Sequence, residues 1–293
     1  MSGLIDFSTQ CPWQLYTFAL IHMISGVCMY IIDTCRLLTQ SSSSCTGSEL
    51  VMARFAALSC VYVGVIFAAL TYHSKTSPAK ITRLSNIALN GATALLVSVI
   101  FCGNASHGGL ETSWMHVGDM LTMIILVGIL ASRVSQPDAV WANKNALGDG
   151  LGVNCKTLLV LFLAAGAMKF IAFTDIINPT ELLADGLEMT DFGHWMWNFT
   201  AVALLEALLA LFYAVFFEDD VGQEFLVFAM LFMYPVAFGS IYSIRDHTSD
   251  WMGLNNSTSL LIRMAIIVAV SAVAIIGGRR SGGASRAGYN SVS

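Results

Sequence analysis

Seven ionisable side chains fall inside long apolar runs of the sequence: His22, Arg54, His116, Asp119, Lys169, Glu206 and Arg263. Each costs roughly 2.5–3.5 kcal/mol at the centre of a bilayer, so such groups face a bundle interior and are paired or functional. At 1.5 Å per residue, Asp119, Lys169 and Arg263 lie about 8–10 Å, and Glu206 roughly 14–17 Å, below the outer ends of their runs. Two acids and two bases thus share a layer in the outer half of a membrane. Two chemistries suit it. As salt bridges, Asp119–Arg263 and Glu206–Lys169 would fix helix register. As a proton or substrate pathway, the same four would be joined by His116, three residues before Asp119 on its helical face, and by His22 near the middle of the first run. A bis-histidine haem on His22 and His116 is disfavoured, because two membrane-depth histidines arise readily by chance. No cofactor is expected. No zinc signature, phosphate-binding loop or nucleophile elbow is present, so no metal site and no catalytic residue is assigned. The acids Asp175, Glu181, Asp185, Glu188 and Asp191 lack the order of a calcium loop and read as a solvated face.

The elements that must carry these groups follow from composition. Of 293 residues, 56% are hydrophobic and 11% charged, against roughly 45–50% and 25% in soluble domains. That excludes a soluble enzyme, and the scattered basic residues exclude nucleic acid as a partner. The apolar residues gather in runs near the ~20 residues that cross ~30 Å of hydrocarbon. The runs are Trp13–Ile32, Val51–Tyr72, Ile81–Cys102, Trp114–Ser132, Thr157–Thr174, Trp195–Phe217, Phe225–Ile244 and Ser259–Gly277. All six tryptophans stand at run ends or in loops, as in an interfacial aromatic belt. The fold class expected is an all-α membrane protein of about eight transmembrane helices.

An offset of about 140–144 residues brings Gly26 onto Gly166 and Asp119 onto Arg263, which suggests two tandem, parallel four-helix units. The expected division is a first four-helix unit at 1–135, a cytosolic linker at 136–156, a second four-helix unit at 157–277 and a disordered cytosolic tail at 278–293. With both termini cytosolic, the cytosolic segments hold Lys75, Lys80, Arg83, Arg133, Lys144, Lys156, Arg279, Arg280 and Arg286, and the opposite side only Arg36 and Arg245. Glu218, Asp219, Asp220 and Glu224 then form a cytosolic loop, since acids weigh little in that rule. Sequons at Asn104, Asn255 and Asn256 fall on the outer face, as in a glycoprotein of a eukaryotic endomembrane or plasma membrane. Cys35 and Cys45 could close a loop disulfide there, with unpaired cysteines the alternative.

Two further motifs carry a resemblance. Gly166-Ala-Met-Lys169-Phe in the first helix of the second half, followed by Leu204-Leu-Glu206-Ala-Leu-Leu in its next helix, resembles the DoxX-like four-helix membrane family over about residues 159–244. The first half has Met29 and Val63 at the places of Lys169 and Glu206. The resemblance implies a four-helix fold, and the family includes quinone-linked oxidoreductase subunits and endomembrane chaperones or receptors. The expected function is movement of a small solute or proton through the polar layer. The alternatives are a non-catalytic accessory, assembly-chaperone or receptor protein with structural ion pairs, and an oxidoreductase subunit. The expected partners are the lipid bilayer, a small solute or proton, and a second copy or another membrane subunit.

Overall fold

The structure, a computed structural model, describes residues 12–31, 47–105, 124, 125, 127, 128, 154–171, 179–249 and 256–289. Among them the chain is almost entirely helical: α1 (Trp13–Ile31), α2 (Gly47–Ser74), α3 (Pro78–Ala105), α4 (Cys155–Ile171), α5 (Asp191–Phe217), α6 (Asp220–Leu231), α7 (Met233–Ser243) and α8 (Ser257–Tyr289). Five stretches are long and apolar enough to cross a membrane: α1, α2, Phe192–Phe217 of α5, Asp220–Ser243 through α6 and α7, and Ser257–Gly277 of α8. That composition is the mark of an integral membrane protein. α3 and α4 coincide with the third and fifth apolar runs, while most of the fourth run lies outside the described residues.

Local chemistry sets the helix ends. Asn154 Oδ1 accepts the Thr157 N–H at 2.9 Å, so α4 starts earlier than hydropathy alone suggests. Asn256 Oδ1 likewise accepts the N–H groups of Thr258 and Ser259 at the start of α8. Thr190 caps α5 and Asp219 caps α6, each satisfying an amide that the first turn leaves without an intrahelical partner. The Asp219 cap, with Asp220 in the favourable field of the helix N-terminus, folds residues 220–224 into α6 where the sequence reads as a loop. The seventh run breaks at Phe232 because Pro235, in the first turn of α7, has no N–H for the Leu231 carbonyl. α8 continues to Tyr289, through the tail expected to be disordered. Its glycines cost about 1 kcal/mol each relative to alanine, so the extension is carried by propagation from the span rather than by composition.

α2 and α5 form the centre of the bundle. The apolar stretch of each is 67% buried, against 22% for α8. α1 packs along α2, α3 and α4 along α5, and α6 along α2. The α1–α2 crossing is close because two glycines allow it. A Cβ on Gly26 would stand 2.6 Å from the Ala57 carbonyl oxygen, and one on Gly64 would stand 2.7 Å from that of Ala19 and collide with Met23. Small residues give such van der Waals contact where lipid offers no hydrophobic drive. Gly64→Val should therefore destabilise the bundle by about 1–3 kcal/mol, the usual result of overpacking. Thermal unfolding in detergent measures this, and an unchanged midpoint would mean that the helices separate freely.

The connections at residues 75–77 and 218–219 share one end of the bundle. At the other, Leu183 bridges Thr248, the Ala184 N–H meets the His247 carbonyl and the Ser249 N–H the Leu182 carbonyl, both at 3.0 Å, and Thr190 Oγ1 donates to Glu49 at 3.0 Å. Leu182 and Leu183 are buried beneath this platform, while Glu181, Asp185 and Glu188 are exposed.

Candidate functional site, a buried histidine–carboxylate pair

On α1 the buried positions Leu15, Phe18, Ala19, His22 and Gly26 recur at three- and four-residue intervals, which places His22 on the inward stripe. His22 is nine residues from either end of α1, so it sits at the middle of this membrane-length helix. Its ring lies 4.3 Å from that of Phe18, and its Nδ1 is 3.0 Å from the Phe18 carbonyl oxygen. A carbonyl only accepts, so Nδ1 carries the proton. That leaves Nε2 aimed at Glu206 of α5, with 3.2 Å between Nε2 and Oε2.

Glu206 is 1% exposed and His22 2%. The contact is at ion-pair distance but is not aligned as a full hydrogen bond, and neither Glu206 oxygen has a hydrogen-bond partner among the described residues. The carboxylate fits only because α3 presents Gly91 to it. A Cβ at Gly91 would collide with Oε1, Cγ and Cδ of Glu206. Three helices thus converge on one carboxyl group, which α3 supports with its inward stripe of Leu84, Ala88, Ala92 and Leu95.

With Nδ1 protonated, the chemistry of the pair is narrow. Either a neutral carboxylic acid faces the Nε2 lone pair, or a carboxylate faces an imidazolium. Both forms carry one exchangeable proton on the pair, on Nε2 or on the carboxyl group. Removing it would leave an uncompensated buried anion, and adding a second would leave an uncompensated buried cation; each is strongly disfavoured away from water.

The remaining residues singled out by sequence lie elsewhere. Lys169 on α4 and Arg263 on α8 are exposed on the bundle surface, and neither has a charged partner among the described residues; Glu206 faces His22 rather than Lys169. His116 and Asp119 lie outside the described residues, as do Asn255, Cys35 and Cys45. Arg54 sits over the Tyr30 ring, 3.9 Å from its centroid, and donates to the Tyr30 carbonyl, where a cation suits the C-terminal end of α1. Asn104 falls in the last turn of α3, and Asn256 is exposed with its side-chain oxygen used as a cap.

A second polar cluster, not anticipated from sequence, ties the α2–α3 connection to the α5–α6 connection. The Glu218 carboxylate is fully buried and accepts from Ser74 Oγ and Lys80 Nζ, each at 2.7 Å. His73 Nε2 lies 3.0 Å from Asp219 Oδ1 and 3.6 Å from Glu218 Oε2. The available signal was the placement of His73 and Lys80 beside one short connection and of two acids in the other. Partial burial works against a charged Asp219, but the Gly222 N–H, Lys80 and His73 outweigh it and hold the carboxyl below the usual aspartate range. A depressed carboxyl stabilises the fold above its unfolded pKa of about 3.9, and that contribution disappears as pH falls through the folded value. Asp219→Asn, which keeps a capping side chain, should therefore melt below the native protein at neutral pH, with the gap narrowing as pH falls below the unfolded value of about 3.9. A difference that persists into acid would show that the charge is not what Asp219 contributes.

Compared with known proteins, the chain matches no family model, no curated protein and no solved structure.

Proposed function

We propose that the protein moves protons, alone or coupled to a small solute, across the membrane in which its helices lie, with the His22–Glu206 pair as the protonatable station. The observation that carries this reading is one fully enclosed carboxyl group, at the middle of the α1 span, whose Oε2 lies 3.2 Å from an imidazole nitrogen. Ionisable groups at that depth are costly, and a pair able to interconvert between neutral and charged forms is the arrangement that proton relays use. Of the polar layer expected from sequence, His22 and Glu206 meet among the described residues, while Lys169 and Arg263 are exposed on α4 and α8.

The proposed architecture is eight spans in two tandem units, both termini cytosolic, in a eukaryotic endomembrane or plasma membrane. The positive-inside count and the outer-face sequons support it. The experiment is reconstitution of the purified full chain into liposomes with an entrapped pH-sensitive dye. Proton flux in the native protein and its loss in Glu206→Gln support the proposal. A folded native protein with no flux above protein-free vesicles would overturn it in favour of an accessory or receptor protein whose pair only joins α1 to α5.

A further inference from the structure

The cluster that ties the α2–α3 connection to the α5–α6 connection has a property that its salt bridges do not exhaust. His73 Nε2, Glu218 Oε2 and Asp219 Oδ1 come from two separate connections, and all three atoms lie within 4.8 Å of one another. Around a tetrahedral zinc ion with bonds of about 2.0–2.2 Å, neighbouring ligand atoms stand about 3.4 Å apart. The distances from His73 to the two carboxylates, 3.0 and 3.6 Å, bracket that edge. One neutral imidazole and two carboxylates form a donor set suited to zinc, with a fourth position left to water.

The site is also held in place. The Glu218 side chain is 0% exposed and is anchored by Ser74. Asp219 is fixed as the cap of α6, its Oδ1 taking the Gly222 N–H at 2.8 Å. Gly222 leaves the room that His73 and Glu218 occupy: a Cβ there would stand 2.6 Å from His73 Cδ2 and 2.7 Å from Glu218 Oε2. The cation position is taken by Lys80, at 2.7 Å from Glu218 and 3.3 Å from Asp219. Lysine is a strongly hydrated charge on a flexible stem, and its side chain is 22% exposed, so it can swing into water.

We propose that this cluster is a divalent-metal site of the zinc class, formed by His73, Glu218 and Asp219, in which Lys80 is the resident cation that the metal displaces. Exchange of one ammonium for one divalent ion leaves the two carboxylates neutralised and adds the His73 bond. Metal affinity is then set by competition with Lys80.

The test is thermal unfolding of the detergent-purified full chain, after chelator treatment, across a zinc titration. Zinc should raise the midpoint of the native protein and should not raise that of His73→Gln, whose side chain is partly exposed and removable without opening the core. In Lys80→Met the apparent zinc affinity should rise tenfold or more, with zinc restoring the stability lost with the ammonium. Equal zinc responses in native and His73→Gln protein, or none in either, would overturn the site. Should Lys80→Met fail to fold, the native and His73→Gln comparison decides alone. The outcome is independent of proton flux, so the two proposals fail separately.

Discussion

Glu206→Gln should cut proton flux by at least about 10²-fold, the scale of a lost acid–base group, while leaving the protein folded. The glutamine amide has the carboxyl group's shape, so it fits the same space against Gly91 and can donate to His22 Nε2. What it cannot do is release and rebind a proton. The expected pattern is therefore a chain that elutes and melts like the native protein in detergent and leaves liposomes tight. A pair that only held α1 on α5 would give the reverse: unchanged permeability with a lower melting midpoint. His22→Ala is the harsher change, because it leaves a buried carboxylate without its partner, at a cost of about 3–5 kcal/mol unless the group takes up a proton.

Gly91→Ala should be nearly as damaging although it adds one methyl group and no charge. That methyl would collide with Oε1, Cγ and Cδ of Glu206, and the carboxylate, 1% exposed, cannot move into solvent. Either α3 moves off α5 or Glu206 leaves His22. Overpacking of this kind costs about 1–3 kcal/mol, and losing alignment with His22 should remove flux as well. A double-mutant cycle separates the causes. Gly91→Ala combined with Glu206→Ala makes room for the methyl, so melting should recover relative to Gly91→Ala alone while flux stays absent. A double variant no more stable than the single one would mean that Gly91 serves some purpose other than making room for the carboxylate.

How far the sequence could be read shows most clearly at these same residues. Five membrane-length stretches among the described residues were legible, because apolar runs of that length, bordered by tryptophans, seldom arise outside a bilayer. Both members of the buried pair were among the seven intramembrane ionisable groups, since their cost flags them regardless of context. Their partnership was not legible. Depth along a helix follows from counting residues, but which neighbour a side chain meets depends on how each helix is rotated and which helices touch, and charge alone does not fix either. The α1–α2 contact turns on Gly26 and Gly64, and the room for Glu206 turns on Gly91; a glycine in an apolar run carries no mark of what will approach it. Depth therefore suggested Lys169 as the partner of Glu206, where the packing gives His22.

The zinc-class cluster was hidden for a related reason. Glu218 and Asp219 lie 138 to 146 positions from Lys80 and His73 in the chain, and only the α2–α5–α6 packing joins them. The break at Phe232 has a local signal in Pro235, because loss of the N–H is local, but hydropathy alone reads Phe225–Ile244 as one unbroken run.

The most direct test of the central claim is whether Glu206 itself changes protonation. Infrared difference spectra of the reconstituted protein, recorded across a pH step, report the carbonyl stretch of a protonated carboxyl group. Proton movement through the pair predicts a carboxylic-acid band that rises and falls with the step, disappears in Glu206→Gln and shifts in His22→Gln. A native spectrum whose carboxyl band is the same in Glu206→Gln, or shows no Glu206 response at any pH at which flux is measured, would contradict it.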